Sequence, residues 1–507
     1  MKKVTLLVMV LMVLSKIFGF GREVILSFFY GASSYSDAYI IATTIPGVIF
    51  GFIASGFSLG YIPIYNKVLV EKGKNEALRY TNNVINILLV ISTVIIILGV
   101  IFTEPIVKIF ASGFRHETLE LTINLTRVSI TAIYFTAIVY IISSYLQVKG
   151  SFIVAGLIGV PLNLLIIFSI ALSKSYGANL LSYGFVIASA SQLLILIPIL
   201  KKKEYKYKFI IDIKSKYLTS LLYISIPLIL GFSVNQINLL VDRTIASQLE
   251  VGGISALNYS SKLNAFVQGI FVLPITTVIY PTLSQLSASK EYVKFKSVIN
   301  QSILGICFFI IPSIVGFIVF SSQIISLLFG RGAFDMDALF LTSGTLSMYS
   351  IGMIGIGLRD ILSRSFYVLE DSKTPMKNSV IGVILNIFLN IVLSKIMGIR
   401  GLALATSIAA TFTTVLLFIS LRKKIGPFGM KQISISFLKI LFASLVMGGL
   451  AKLSFNYLTA SLSQNLSLLI AIGVGAVSYF VIIYFMKIED VDVIVGEIKK
   501  KLGRGAA

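Results

Sequence analysis

The sequence predicts an all-α polytopic membrane protein with about fourteen transmembrane helices, and three observations support this fold class. Of the 507 residues, 56% are hydrophobic and only 13% are charged. Apolar runs of about 20 residues, each long enough to cross a hydrocarbon core of about 30 Å, recur from one end to the other. The runs lack the alternation of barrel strands, and a span in lipid must satisfy its own backbone hydrogen bonds, so helices are required.

The predicted spans follow the apolar runs in chain order. They are Val4–Tyr30, Ser36–Asn66, Tyr80–Ile101, Thr122–Leu146, Phe152–Leu172, Leu180–Leu200, Tyr217–Gln248, Gly253–Leu283, Ser297–Phe320, Ala338–Leu369, Asn378–Leu393, Leu402–Leu421, Ser436–Leu458 and Leu466–Met486. Lys and Arg concentrate in alternate loops, as cytoplasmic loops require. Both termini are therefore expected in the cytoplasm.

Composition excludes several classes of protein. Cys307 is the only cysteine and His116 the only histidine, which rules out a disulfide framework and a Cys/His metal cluster within one chain. In a soluble protein the formal charge of +22 would suggest nucleic acid, but here loop charge that sets membrane orientation explains it. Because loop charge explains the +22, we expect no nucleic-acid partner. The loops are too short for a catalytic domain, so we do not expect an enzyme.

An internal repeat divides the chain. Leu162-Asn163 matches Leu385-Asn386 at an offset of 223 residues, and Asp37-Ala38-Tyr39 resembles Leu257-Asn258-Tyr259 at an offset of 220. Six helices per repeat give two lobes of the same topology, related by an axis along the membrane normal, with a substrate cavity between them. The predicted parts are an N-lobe (1–200), a basic cytoplasmic linker (201–216), a C-lobe (217–424), an added helix pair (425–488) and a cytoplasmic tail (489–507). The linker holds seven lysines, which predict contact with anionic lipid.

Basic residues inside the predicted spans are candidates for binding an anionic head group. A charge near the bilayer centre costs at least about 2.5–3.5 kcal/mol, so it normally faces a wet cavity or a partner. Arg and Lys bind phosphate oxygens strongly in such a setting. The candidate substrate-binding residues are the basic Lys16, Arg22, Arg243, Lys262, Arg359 and Arg364, together with the acidic Asp37 of the second predicted span. Structural roles are the alternatives. Arg22 could form an ion pair with Glu23 or Asp37, and the side chains of Lys16, Lys262 and Arg364 could extend to the membrane interface.

A cluster of oxygen ligands is predicted near the eleventh and twelfth spans. Asn386 and Asn390 lie on one helix face at i, i+4, and Thr406 follows on the next helix. With Asp242 as the negative charge, such hard ligands suit Na⁺. Asparagines also connect neighbouring helices through hydrogen bonds, and the spacing alone leaves both roles open.

Several motifs together resemble the MurJ (MviN) lipid II flippases of the multidrug/oligosaccharidyl-lipid/polysaccharide exporter superfamily. They lie along nearly the whole chain: Ser15-Lys16-Ile17-Phe18-Gly19-Phe20-Gly21-Arg22-Glu23, Gly31-Ala32-Ser33, Gly330-Arg331-Gly332-Ala333-Phe334, Lys373-Thr374-Pro375 and Gly401-Leu402-Ala403-Leu404-Ala405-Thr406-Ser407. The resemblance implies a bacterial inner-membrane protein of fourteen helices, whose last two form a groove for the lipid tail.

The resemblance also assigns residues. Arg22 matches a diphosphate-binding arginine, while Lys16 and Lys262 stand where arginine is usual. Phe50 occupies the position of a second-helix arginine, and Ser55 replaces an acidic residue. Some members bind Na⁺ at the positions of Asp242, Asn386, Asn390, the Leu402 carbonyl and Thr406, with aspartate in place of Asn390.

The function that follows is a non-enzymatic flippase that moves lipid II to the outer leaflet by alternating access, as a monomer. The alternatives are a flippase for another polyprenyl-linked oligosaccharide, of teichoic-acid, capsule or O-antigen type, and a cation-coupled drug exporter. Arg331 and Asp335 in an outer loop are candidates for an external gate, with an ordinary solvated loop as the other interpretation.

Overall fold

The computed structural model describes residues 2–151 and 153–486, and these form eighteen helices without a strand. In chain order the helices are α1 Lys2–Tyr30, α2 Ser34–Ile101, α3 Thr103–Phe110, α4 His116–Ser129, α5 Ala132–Val148, α6 Val154–Leu157, α7 Gly159–Tyr176, α8 Asn179–Lys202, α9 Lys216–Leu249, α10 Gly253–Ala288, α11 Tyr292–Val319, α12 Ser321–Phe329, α13 Met336–Ile351, α14 Met353–Val368, α15 Lys373–Met397, α16 Ile399–Ile425, α17 Met430–Leu458 and α18 Gln464–Phe485. The all-α fold class is confirmed. The predicted tail at 489–507 lies outside the described residues.

The helices accommodate the fourteen predicted spans. By length and composition, nine helices of the described chain could each cross a membrane, and eleven spans result if each of two bent helix pairs counts as one. Helix α2, 68 residues long, covers two predicted spans and is broken at Gly73, whose φ of 81° lies in the left-handed region. Helices α1 and α9 coincide with two further predicted spans and are 29 and 34 residues long.

The predicted repeat is visible in the order and bending of the helices. Two predicted spans are each a pair of helices: α4 and α5 meet at 42°, and α13 and α14 meet at 41°. A short helix precedes each pair, α3 in the first half and α12 in the second. Sequence patterns gave no sign of these short helices or of the bends, because apolar residues continue through both breaks.

The structure divides into two compact units. The first contains the chain up to Ser255 together with the segment Arg331–Ala338, and the second contains Ala256–Gly330 and the chain from Leu339 onward. Helix α9 therefore belongs to the first unit, although the predicted C-lobe begins at residue 217. The predicted lobe boundaries do not coincide with these units, and the division into lobes stays a prediction.

Long helices supply the main packing contacts within each unit. In the first, α2 packs against α4, α5 and α9, and its core includes the fully buried Tyr61, Tyr65 and Tyr145. In the second, α11 packs against α14 and α17, and α17 packs against α18. The hydroxyl of Tyr479 on α18 donates to the Phe308 carbonyl at 2.7 Å, which connects the final helix pair to α11.

Candidate functional site

Arg22 lies on α1 in a group of three polar side chains within the first unit. Its Nη2 lies 2.6 Å from Glu23 Oε1, and its Nη1 donates to Asn163 Oδ1 at 3.3 Å. Glu23 is buried, whereas 25% of the Arg22 side chain is exposed. The predicted pairing of Arg22 with Glu23 is therefore present. A guanidinium has five N–H donors, so these two contacts leave it able to bind a further oxyanion.

Asn163 on α7 positions this group, and as an uncharged residue it is not among the predicted site residues. Its Nδ2 donates to the Gly159 carbonyl at 2.8 Å, which fixes its Oδ1 toward Arg22. A Cβ on Gly19 would lie 3.6 Å from Asn163, so the two helices approach closely here. The signal was present in the repeat, because Asn163 is the counterpart of the candidate ligand Asn386.

The other predicted cations fall into different surroundings. Lys16 and Lys262 are exposed, on α1 of the first unit and α10 of the second. Arg243 is buried and donates from Nη1 to the Ile254 carbonyl at 2.8 Å, next to the start of α10. Arg243 thus has a structural contact, and its predicted contact with substrate remains untested.

Arg359 and Arg364 lie together on α14 in the second unit. Arg364 Nε is 3.2 Å from Asp360 Oδ2, one helical turn away, and its guanidinium carbon is 5.7 Å from the ring centre of Tyr280. Arg359 is half-buried. The pair with Asp360 leaves this part of α14 with one net positive charge, which is compatible with an anionic ligand.

Asp37, at the start of α2, is buried and accepts hydrogen bonds from the turn between α9 and α10. Its Oδ2 accepts from the Gly252 N–H at 2.8 Å, and its Oδ1 accepts from the Ser255 N–H at 2.7 Å and the Ser255 hydroxyl at 2.5 Å. These donors include orphan N–H groups at the N-terminus of α10, where a negative charge is favourable. The carboxylate therefore joins two helix starts, and its predicted role with substrate stays a prediction.

The loop with the predicted gate residues Arg331 and Asp335 docks on the end of α1 through its backbone. The Ala333 N–H donates to the Phe28 carbonyl at 2.8 Å, and Phe334 is buried. Arg331 and Asp335 are exposed, and Asp335 Oδ1 accepts from the Ala338 N–H at 2.8 Å as a helix cap.

Glycine permits this docking, and the first half of the chain repeats it. A Cβ on Gly332, whose φ is +68°, would lie 2.2 Å from the Phe28 carbonyl oxygen. In the first half, Gly113 donates its N–H to Ser247 Oγ at 3.0 Å, near the end of α9. A Cβ on Gly113 would lie 2.1 Å from the Ser247 carbonyl oxygen. Each half thus supplies a loop that contacts the end of the other half's first helix.

The predicted Na⁺ ligands of the second unit form a connected cluster on α15 and α16. Asn390 Nδ2 donates to Asn386 Oδ1 at 3.0 Å, Asn386 Nδ2 to Thr406 Oγ1 at 3.3 Å, and Thr406 Oγ1 to the Leu402 carbonyl at 3.1 Å. Both asparagines are buried. Asp242, the predicted charged ligand, lies on α9 in the first unit.

Phe50 stands on α2 where the family resemblance implies an arginine. Its side chain is fully buried and belongs to the apolar core of the first unit. The Ser55 hydroxyl donates to the Gly51 carbonyl at 2.7 Å. This stretch of α2 therefore contributes packing and no charge.

The chain is similar to known transport proteins along most of its length. The family profile described as "Lipid II flippase MurJ" matches residues 26–473. A probable lipid II flippase MurJ from Thermotoga maritima is 30% identical over 482 residues, which are 94% of this chain and 95% of the relative. A second, from Aquifex aeolicus, is 30% identical over 490 residues, 94% of this chain and 93% of the relative.

Solved structures give the same result. A lipid II flippase MurJ in an inward closed conformation matches with a TM-score of 0.84 and 30% identity, over 96% of this chain and 100% of that one. A multidrug-resistance MATE-family transporter in an inward-facing conformation matches with a TM-score of 0.69 over 81% of this chain and 94% of that one. At 16% identity, the second match shows a shared fold and nothing finer.

Proposed function

The chain belongs to the family of the lipid II flippase MurJ, and on that premise we propose that it moves lipid II from the cytoplasmic to the outer leaflet. It is a multi-pass protein of the bacterial inner membrane and a transporter rather than an enzyme. We further propose that the protein is a monomer, that both of its termini lie in the cytoplasm, and that it transports by alternating access.

The observation that carries the proposal is the partly exposed Arg22 on an apolar helix. Glu23 and Asn163 hold its guanidinium from two sides, while a quarter of the side chain remains exposed. A diphosphate offers oxygens on two phosphorus atoms, and a guanidinium binds such oxygens in pairs. In the proposed mechanism Arg22 holds the diphosphate of lipid II, with Lys16 on the same helix as a further cation, and Lys262 of the second unit stays a predicted contact.

Asp37 has a conformational part in the same mechanism. Its three hydrogen bonds join the start of α2 to the start of α10, on the side that the loop charges assign to the outside. Release of the precursor to the outer leaflet requires this junction to open. Asp37, together with the loop around Gly332, is then the outer gate, and the predicted Arg331 and Asp335 contribute through the loop's backbone and helix cap.

Na⁺ coupling is a further part of the proposal. Asn386, Asn390, Thr406 and the Leu402 carbonyl supply oxygens of the hard type that Na⁺ prefers, and their hydrogen bonds already bring them together. The fit requires the two amides to turn their oxygens toward one point. Because these four ligands are all neutral, we expect weak binding.

Phe50 favours one alternative substrate, a different polyprenyl-linked oligosaccharide. A buried phenylalanine replaces a cation that the family resemblance places against the lipid head group. Fewer cations in the site suit a head group with less negative charge, such as the precursor of a neutral capsule or O-antigen glycan.

The test is complementation of bacteria depleted of their own lipid II flippase, with wild type and Arg22→Ala expressed at equal abundance. We expect the wild type to rescue growth and Arg22→Ala to fail. Arg79→Ala, which removes an exposed arginine paired with Glu76, is the matched control and should rescue. If the membrane-inserted wild type fails, lipid II is the wrong substrate and the other glycolipids are tested next. Rescue by Arg22→Ala would contradict the proposed diphosphate contact.

A further inference from the structure

Residues 203–215, which we name the strap, connect α8 to α9. The strap is non-helical between turns at 203–204 and 213–214, and hydrogen bonds hold it along α2. Asn82 Nδ2 donates to the Lys206 carbonyl at 3.0 Å, and Asn86 Nδ2 donates to the Ile210 carbonyl at 3.0 Å. Asn83 both donates to the Asp212 carbonyl, at 2.9 Å, and accepts from its N–H, at 2.7 Å. Three asparagines on one helix face thus bond to backbone groups of the strap, which lies outside helices and sheets and has no regular backbone partner there.

Side chains of the strap also take part in this attachment. The Tyr205 hydroxyl donates to Asn82 Oδ1 at 2.5 Å, and the Tyr207 hydroxyl donates to Asn86 Oδ1 at 2.6 Å. Glu204 forms an ion pair with Lys74 at 2.6 Å. One of the two acidic groups of the strap is therefore already neutralised.

The strap presents apolar and basic side chains to its surroundings. Phe209 is 75% exposed and Ile213 is 74% exposed. Lys206, Lys208 and Lys214 lie beside them and are also exposed. Exposed large apolar residues interleaved with lysines are the pattern of a segment that lies in a membrane interface.

The attachment points place the strap at the depth of the lipid headgroups. Asn82, Asn83 and Asn86 belong to the first two turns of the predicted third span, Tyr80–Ile101. The strap also follows directly on α8 and leads directly into α9, which end and begin at Lys202 and Lys216. A segment running along the first turns of a membrane span lies where headgroups and acyl chains meet.

We propose that the strap is a binding site for anionic phospholipid headgroups of the leaflet it faces. Lys206, Lys208 and Lys214 contact the phosphates, and Phe209 and Ile213 enter the boundary with the acyl chains. Because the asparagines hold the strap in one conformation, little chain entropy is lost on binding. Lipid binding at the strap would stabilise the attachment of the α8–α9 connection to α2. The inference is independent of which substrate the protein carries.

The test uses a feature of the sequence: the chain contains no tryptophan, so Phe209→Trp introduces a unique fluorophore. The full-length variant is placed in phosphatidylcholine vesicles, which contain no other protein, with either brominated phosphatidylglycerol or brominated phosphatidylcholine as the quencher. We expect stronger quenching by the anionic lipid, and no change when inorganic phosphate is added.

Lys206→Gln with Lys208→Gln isolates the charge contribution, because Asn82 and Asn86 bond to backbone carbonyls that this change leaves in place. Each lysine removed should lower the preference for phosphatidylglycerol by roughly five-fold. Lys373→Gln with Lys377→Gln, two exposed lysines elsewhere in the chain, is the matched control and should leave the preference unchanged. Equal quenching by both lipids would overturn the proposal. Quenching of the tryptophan only by a water-soluble agent would also overturn it, because the strap would then face the aqueous phase.

Discussion

Asp37→Asn tests the junction that Asp37 forms between the start of α2 and the start of α10. The carboxylate accepts three hydrogen bonds, two from Ser255 and one from Gly252, and it is 1% exposed. Asparagine has nearly the same shape, but one of its oxygens becomes an NH₂ group that must face a donor. A hydrogen bond to a charged group contributes about 1.5–3 kcal/mol, and the charge at the α10 N-terminus adds about 1 kcal/mol.

We therefore expect the closed junction to lose about 2.5–4 kcal/mol relative to the open one, a change of roughly 60- to 700-fold in the ratio of the two populations. The assay is the rate at which a maleimide labels Ala38→Cys, a position that is fully buried beside the junction, with Cys307 replaced by serine. Labelling should accelerate by a comparable factor until opening itself limits the rate.

Glu104→Gln is the control, because this exposed carboxylate pairs with Lys108 one helical turn away and lies outside the hydrogen bonds of the junction. It should change the labelling rate by no more than several-fold. An unchanged rate in Asp37→Asn, with transport lost, would refute the junction and return Asp37 to the role of a substrate ligand.

Three further outcomes are expected. Gly332→Ala should lower the midpoint of thermal unfolding, because a Cβ there would lie 2.2 Å from the Phe28 carbonyl oxygen, whereas Gly21→Ala, which meets no atom within 4 Å, should have a smaller effect. Asn390→Asp adds a negative charge to a neutral oxygen cluster and should raise Na⁺ affinity at least about ten-fold, measured by Na⁺-dependent thermal stabilisation; no gain would count against the Na⁺ site. The pKa of Asp371, in the loop before α15, is lowered to about 2, first by the hydrogen bond from Lys424, so its contribution to stability is present above the usual carboxylate pKa and is lost as pH falls toward 2. Lys424→Gln should flatten this pH dependence of unfolding, and an unaltered profile would show that the ion pair does not stabilise the loop.

The candidate site was predictable in part. Charge cost identifies Arg22 as a residue that needs a partner or a ligand, and its sequence neighbour Glu23 is the partner in the structure. The third member, Asn163, is 141 residues away from Arg22, and no rule of local spacing connects them. Likewise, the i, i+4 pair Asn386 and Asn390 was visible in the sequence, whereas the hydrogen bond to Thr406 depends on how α15 packs against α16.

The loop around Gly332 shows the limit of inference from charge. Arg331 and Asp335 stand out in the sequence because they are charged, yet the docking contact uses the N–H of Ala333 and the missing side chain of Gly332. Backbone groups are the same at every position, so a sequence gives little indication of which of them will form a long-range hydrogen bond.

The sequence by itself determined that the protein lies in a lipid bilayer, that its fold is all-α, about how many spans it has and where its sequence repeats. These follow from the hydropathy of segments of about 20 residues and from the rule that a lipid-exposed backbone must bond to itself, both of which are local. Only the tertiary structure decided that Asp37 holds the start of α10, that Asn163 orients Arg22 and that three asparagines of α2 hold the strap. Those contacts join residues more than 100 positions apart, and their existence depends on which helix faces meet, a property of packing that no single segment encodes.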